Sequence, residues 1–574
     1  MPNNMNEQTP VLPPDYYLRN FESVMSWART RYQDILEPEE LECLAAFDAL
    51  PHMARCLYVR LYLRRGPLFR LSGLSYAEID SIDEALRQLE EAEFVMIGGQ
   101  ALAATGVETG FASLRVAELS QLALSLGLDP PRRKDDLLAL LNEDAAAALA
   151  LLHVDVFIYP AQQELFARLQ VLFFGNRHQD LSTLVVADLE HTRYANYPLD
   201  HEQRVFADRE ALESYLEAAF MLEEAMDELE ADDLPSLADS ALHAVVGSTR
   251  PIPYRRAVDP ARYYARLAHK CARELERVGE MESAAGFYER LVTHAPELST
   301  RARAAERLGL VCGRIKQVER FDPPSAALLA DEDLSVVDRF TIKLRRSRLG
   351  LSPDPRVTLR RPAELDLELE AVGHRGSKAL YKGPQGASVS IEVAVLEHLG
   401  GEGLLAENSL WRTIFGLLMW DVVFAPLPGV FQQPYQGAPL DFGDARFFSA
   451  RRQLFSARLQ QLDQGDPVAE LELSRRKNQG VSCRLVDWRA YGRAELVRVV
   501  STVGRPLIGL LEHLARHPRR HGRGLPDLFF WKDGRPLLVE VKGPGDQVSI
   551  EQSLWHDKLI RLGLDVSIAR VRTP

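Results

Sequence analysis

The chain has 574 residues, 46% hydrophobic and 26% charged, with a net charge of −14. That composition is globular, and the length exceeds what one core serves, so three or four domains are expected. No apolar run reaches membrane length, the opening MPNNMNEQTPVLPPDYY has no apolar signal core, and five scattered cysteines form no CxxC pair; a membrane span, a secretory leader, a zinc finger and a disulfide framework are all disfavoured.

Residues 1–16, rich in Pro and Asn, are expected to be a flexible N-terminus. Helical spacing then runs through 17–100, in LECLAAFDALPHMARCLYVRLYLRRGPLFRLSGL and AEIDSIDEALRQLEEAEFV. Arg60, Arg64, Arg65 and Arg70 alternate there with Tyr58, Tyr62 and Phe69, a mix that suits DNA and equally suits a solvated face over a core. SLRVAELSQLALSLGLDPPRRKDDLLALL, residues 113–141, reads as two helices broken at Pro130-Pro131, with Arg132, Arg133 and Lys134 opening the second. It is similar to SAP-like DNA-binding modules, a pattern that many helical hairpins share. Residues 17–160 are read as a helical DNA-binding region on this basis.

Residues 161–350 are read as a helical scaffold. Ala268, Cys271, Ala272 and Leu275, then Ala284, Tyr288, Leu291 and Pro296, resemble the small and large positions of tetratricopeptide helix pairs. Residues 201–250 carry thirteen acids against three arginines, and EAAFMLEEAMDELEADDLP is read as a solvated helix face or a linker. From 351 the character changes to alternating extended and helical stretches. ENSLWRTIFGLLMWDVVF turns helical near Ser409, with Glu407 at its edge, where an acid also favours the helix dipole.

The last hundred residues are basic, with sixteen Lys/Arg against ten acids over 481–574 and the run RHPRRHGRG, containing Arg519, Arg520 and Arg523. Such a loop suits a phosphate backbone, or is simply solvated. In GLPDLFFWKDGRPLLVEVKGP, residues 524–544, two apolar strands flank Asp533-Gly534, a type I′ hairpin centre. Counting outward from Lys532 and Arg535 brings Asp527 opposite Glu540, with Lys542 on the same face. Two facing carboxylates destabilise a strand pair unless one keeps its proton or a hard cation joins them. Oxygen donors suit Mg²⁺ or Mn²⁺. A plain Glu–Lys ion pair beside a solvated Asp is the bland alternative. After Gly543-Pro544, Ser549 to Gln552 forms a capping box opening a helix that Gly563 closes, and 565–572 reads as a strand.

Pro526-Asp527, then Glu540-Val541-Lys542, is the PD-(D/E)XK pattern of restriction-endonuclease-like folds. GLPDLFFW, LLVEVKGPGD and EQSLWHDKL together resemble the VRR-NUC domain, and ENSLWRTIFGLLMWDVVF with VFQQPYQGAPLDFGDARFFSARR resembles the region before it in the Fanconi-associated nuclease family. The resemblance implies a multidomain chain: a mainly α-helical N-terminal two-thirds, then a C-terminal α/β restriction-endonuclease-like domain with a mixed sheet over 351–574, its catalytic core at 391–572. It implies a nuclease for 5′-flap or branched double-stranded DNA, with 5′ to 3′ exonuclease action, in interstrand-crosslink repair. Glu407, Asp527, Glu540 and the Val541 carbonyl are the implied ligands of Mg²⁺ or Mn²⁺, and Lys542 the implied catalytic lysine. Gln552 matches a supporting glutamine, although its capping role explains it equally well. Arg451 and Arg452 follow the PLD segment and are candidates for a phosphate, or for solvent. The animal family's ubiquitin-binding zinc finger has no counterpart in the sequence, which suits a bacterial, cytoplasmic, nucleoid-associated protein. A Holliday-junction resolvase and a non-catalytic branched-DNA scaffold remain the alternatives.

Overall fold

The structure, a computed structural model, describes residues 13–573 apart from 65, 180, 182–192, 200–201, 228–232, 248–257, 377, 384–385, 401 and 533. Most of the expected flexible stretch lies outside the described residues, and the first helix starts inside it, at Tyr16. The chain divides into two compact units, Met1–Thr192 and Arg193–Pro574.

In the first unit, helices Tyr16–Tyr32, Pro38–Ala49, His52–Leu63 and Gln163–Phe174 surround Phe21, Phe47, Tyr58, Phe94 and Phe166. Their rings sit 5.0–6.5 Å apart, where edge-to-face contacts are favourable. Phe166 ties helix Gln163–Phe174 to this first unit. A small antiparallel sheet lies within this mainly helical region, with Phe157–Pro160 between Phe69–Arg70 and Val95–Ile97. Strands of two or three residues are too short to leave a period in the sequence.

Arg60 and Arg70 serve the unit's interior. Arg60 donates to Glu78 at 2.8 Å and lies 3.9 Å over Tyr17. Arg70 is held by Asp155 at 2.9 Å and Glu118 at 2.6 Å. Arg64 donates to the Tyr76 hydroxyl at 3.0 Å, and Arg65 lies outside the described residues. The SAP-like pair is Val116–Ser125 and Lys134–Asn142, whose Leu119, Leu122, Leu137 and Leu141 share one buried cluster. Arg132 and Arg133 are exposed in the connecting loop, while Lys134 donates to the Ala112 carbonyl at 2.9 Å.

The second unit opens with stacked helices. Arg209–Asp227 carries most of the acidic stretch on a helix whose Leu212, Tyr215 and Ala218 are buried; 228–232 lies outside the described residues. Helices Pro260–Val278, Met281–His294, Leu298–Ile315 and Val336–Arg348 follow, and seven of the eight tetratricopeptide-like positions named above, all but Pro296, are buried.

The chain then forms a five-stranded mixed sheet in the order Ala363–Glu368, Asp565–Arg572, Arg535–Lys542, Leu528–Lys532, Gly403–Leu405. The first two pairings are parallel and the last two antiparallel. Alternation along the strands sends Phe529 and Leu538 to one face, into a core with Trp411 and Trp555. It sends Leu528, Phe530, Val539 and Val541 to the other, against helix Ile391–His398. Asp527, Glu540 and Lys542 belong by the same alternation to the Phe529 face, under helices Glu407–Leu418 and Ile550–Arg561.

Candidate active site

The hairpin pairs Lys532 with Arg535 and continues to Leu528 with Val539, the register that a two-residue turn dictates. Gly534 supplies a φ of +75° at the turn, and Asp533 lies outside the described residues. Along such a ladder, hydrogen-bonded and non-hydrogen-bonded pairs alternate, the pair beside the turn being bonded. Asp527 and Glu540 therefore fall in a non-bonded pair, the kind with Cα atoms only about 4.5 Å apart. The next position would pair Val541 with Pro526, which has no N–H to give. The ladder stops there. Val541 donates its N–H to Asp527 Oδ2 at 2.7 Å, and Pro526 leaves the Val541 carbonyl on the same edge without a ladder donor.

The Asp527 carbonyl points to the opposite edge. It accepts from Ala406 N at 2.7 Å and Glu407 N at 3.1 Å, which pins the start of helix Glu407–Leu418 to the strand end. Glu407 is exposed and takes a φ of +31°. A side chain with a Cβ rarely adopts that conformation, at a cost on the order of 1 kcal/mol, and such strain concentrates at functional positions.

Glu540 is 1% exposed and Lys542 8%. Lys542 Nζ donates to Glu540 Oε1 at 2.8 Å, and Gln552 Nε2 donates to the same oxygen. The Gln552 carbonyl accepts from Ser549 N at 2.9 Å in the capping box. The Gln552 amide is bonded at both ends: its oxygen caps the helix and its nitrogen holds the Glu540 carboxylate. One helical turn on, His556 Nε2 lies 3.9 Å from Glu540 Oε2, and both atoms are buried with no hydrogen-bond partner. His556 was missed; its signal was the i, i+4 spacing from Gln552, which puts both on one helix face. Burial, and next the charge of Glu540, push the Asp527 carboxyl up to about 7 against the pull of the Val541 N–H and Lys542. Glu392, on helix Ile391–His398, adds to that push and was also missed.

The basic residues separate into two groups. Arg451 is a correction: it is 1% exposed, donates to both Asp441 oxygens at 2.5 and 3.0 Å and lies 4.3 Å over Phe447. It braces the PLD segment and faces neither phosphate nor solvent, because the aromatic neighbours bury it and Asp441 neutralises it. Arg520 donates to Asp338 at 3.0 Å. Arg452, Arg519 and Arg523 are exposed. Arg519 passes over Gly443, where a Cβ would collide with its stem, and its guanidinium stands among the charges of Arg484, Arg523 and Arg262.

Among the described residues, no three His, Cys, Asp or Glu side chains converge closely enough to hold a metal ion. The donor chemistry nevertheless fits a hard divalent cation. Two facing carboxylates carry a like-charge conflict, one Glu540 oxygen is buried without a hydrogen bond, and the Val541 carbonyl has no ladder donor.

Two family descriptions match the chain: "FAN1, HTH domain" over residues 15–96 and "VRR-NUC domain" over 466–573. The second match includes Asp527, Glu540 and Lys542 and begins after Glu407. A Fanconi-associated nuclease 1 homolog from Pseudomonas aeruginosa is 31% identical over 98% of this chain and 97% of its own length. A homolog of the same name from rice, Oryza sativa, is 28% identical over 97% of this chain, which spans 62% of the rice protein. Among solved structures, paFAN1 bound to 5′-flap DNA with a 2-nucleotide flap and a gap superposes with a TM-score of 0.79 at 27% identity, over 98% of this chain and all of that one.

Proposed function

The chain belongs to the Fanconi-associated nuclease family, and from that premise we propose that it is a metal-dependent, structure-selective DNA nuclease. Its proposed substrates are 5′-flap and branched duplexes, which it cuts and then trims 5′ to 3′ in interstrand-crosslink repair. The observation that carries the reading is the convergence of half-buried Asp527 with buried Glu540 and Lys542 where the hairpin ladder stops. A protein built only to bind DNA has no use for facing carboxylates held at one another's expense.

In this mechanism Asp527, Glu540, the Val541 carbonyl and Glu407 would hold one or two Mg²⁺ or Mn²⁺ ions. When bound, such an ion acidifies the attacking water and neutralises phosphate charge. Lys542, anchored by Glu540, brings a fixed positive charge to the phosphate being cut, where negative charge grows in the transition state. Gln552 and Lys542 hold the Glu540 carboxylate in place, so no reorganisation is needed at the moment of reaction. Arg519 and Arg523, exposed just before Asp527, meet the DNA backbone near the cut, with Arg452 in the same role. Arg132 and Arg133 of the SAP-like loop meet duplex phosphates.

The test is cleavage of an end-labelled 5′-flap duplex with Mn²⁺, with Mg²⁺ and with EDTA, beside a four-way junction. Metal-dependent cuts near the flap, lost in Asp527→Ala while DNA binding persists, are expected. Cutting of the four-way junction alone would overturn the flap preference. Cutting by Asp527→Ala at the wild-type rate would overturn the site.

A further inference from the structure

We infer that the tetratricopeptide-like helices carry a track for the displaced 5′ single strand, an inference that rests on the flap-nuclease reading. Helix Pro260–Val278 spaces Arg262, Arg266, His269 and Arg273 by four, three and four residues, which aligns them on one face. Helix Leu298–Ile315 presents Arg303, Arg307 and Arg314 in the same manner. The two helices run side by side in one direction. At their starts, Arg262 and Arg266 reach Glu297 at 2.7 and 3.6 Å; near their ends, Arg307 and Arg314 reach Glu276, each at 3.1 Å.

The face gathers six arginines around Glu297 and Glu276, with Glu306 beside Arg303 and Arg307 on the second helix. Arg273 also pairs with Glu276, at 2.9 Å, so three arginines converge on that one carboxylate. Arg303 is exposed and, among the described residues, bonds the Thr300 hydroxyl and the Ser299 carbonyl, both at 3.3 Å. His269 Nε2 is buried with no hydrogen-bond partner, and burial together with the charges of Arg303, Arg273 and Arg307 pushes its pKa down to about 4. On helix Val336–Arg348, Arg345 lays its stem across Gly309, within reach of the charge of Glu306.

Position and size select the occupant. At the start of the stripe, the charge of Arg262 reaches Arg519, in the loop that leads into Asp527. From Arg262 to Arg273 the stripe is about 16 Å long at 1.5 Å per residue, and two packed helices are about 10 Å apart. That is the footprint of one sugar-phosphate backbone, and its Arg262 end lies by Arg519, eight residues before Asp527. The family's fold supplies a spacer here; the charge makes it a guide for the flap.

The experiment measures binding of 5′-flap duplexes with one-nucleotide and ten-nucleotide flaps to the Asp527→Asn protein between 50 and 200 mM salt. The long flap is expected to show the steeper salt dependence. Arg266→Gln/Arg303→Gln, which leaves Arg262 on Glu297, should lower that slope by about 1.4, since each single-strand phosphate contact contributes about 0.7. Over this fourfold salt range that is about a sevenfold loss of the salt effect. Equal slopes for both flaps, or a slope the double variant does not change, would overturn the track. So would a poly-glutamate peptide that binds the parent and not the double variant while the DNA slopes stay put, since the stripe would then serve an acidic protein partner. Wild-type cleavage with Mn²⁺ runs alongside: no cutting counts against the nuclease reading, and cutting with equal slopes counts against the track alone.

Discussion

Asp527→Asn should make the cation-free protein more stable while abolishing cleavage. The side chains are nearly isosteric, and Asn keeps an oxygen for the Val541 N–H that Asp527 accepts at 2.7 Å. Only the charge goes. Burial and Glu540 raise the Asp527 pKa from 3.8 to about 7. Each pKa unit is worth about 1.4 kcal/mol, so holding Asp527 ionised at pH 8 costs the fold on the order of 4 kcal/mol. The pull of Lys542 is already contained in that raised value, so a gain on the order of 4 kcal/mol is expected, from the same unit value. The sign follows from proton binding. The folded state keeps a proton that the unfolded state has released between pH 3.8 and about 7, so wild-type stability falls as pH rises through that window. The advantage of Asn should be absent at pH 4 and complete by pH 8. Urea unfolding in EDTA, followed by fluorescence of Trp411, Trp531 and Trp555, reads it directly. Mn²⁺ should raise the wild-type midpoint and leave that of Asp527→Asn where it was. An Asn variant no more stable than wild type at pH 8 would refute the reasoning, because the facing carboxylates would then carry no conflict for a cation to relieve.

Glu407→Gly should raise stability by about 1 kcal/mol, since glycine accepts a φ of +31° without strain, and should abolish cleavage; a destabilised variant that still cuts would remove Glu407 from the site. Arg451→Ala should cost about 3–5 kcal/mol, because it strands the buried Asp441; Arg451→Met with Asp441→Leu should recover most of that in denaturant titrations, and a loss of DNA affinity in the stable double variant would restore Arg451 to a phosphate. His513 and His521 stack 4.1 Å apart, and burial foremost holds His513 at about 2 and His517 and His521 at about 4. The unfolded chain takes up these protons first, so stability should fall as pH drops from about 6.5 toward 4. His521→Asn, which keeps a donor for the His513 carbonyl, should flatten that acid limb of the unfolding profile, and an unchanged limb would count against neutral buried imidazoles.

What the sequence by itself determined was local. A two-residue Asp-Gly turn sets the pairing of every residue on both strands, so the meeting of Asp527 with Glu540 and Lys542 followed from counting. The strand at 565–572 and the capping box at Ser549 depend on neighbours in the chain, and both stand as read. The tetratricopeptide-like helices were legible because a repeat buries the same small positions each time. The tertiary structure decided whatever depends on which distant segment arrives. Arg451 reads like any surface arginine until Asp441 and Phe447 close over it. The helix Gln163–Phe174 joins the first unit because Phe21, Phe47 and Tyr58 await Phe166. His556 and Glu392 come to the site on helices whose own patterns say nothing of Glu540 or Asp527. Glu407 is brought to the strand end by a backbone bond to the Asp527 carbonyl, a contact between residues far apart in the chain that no side-chain pattern encodes.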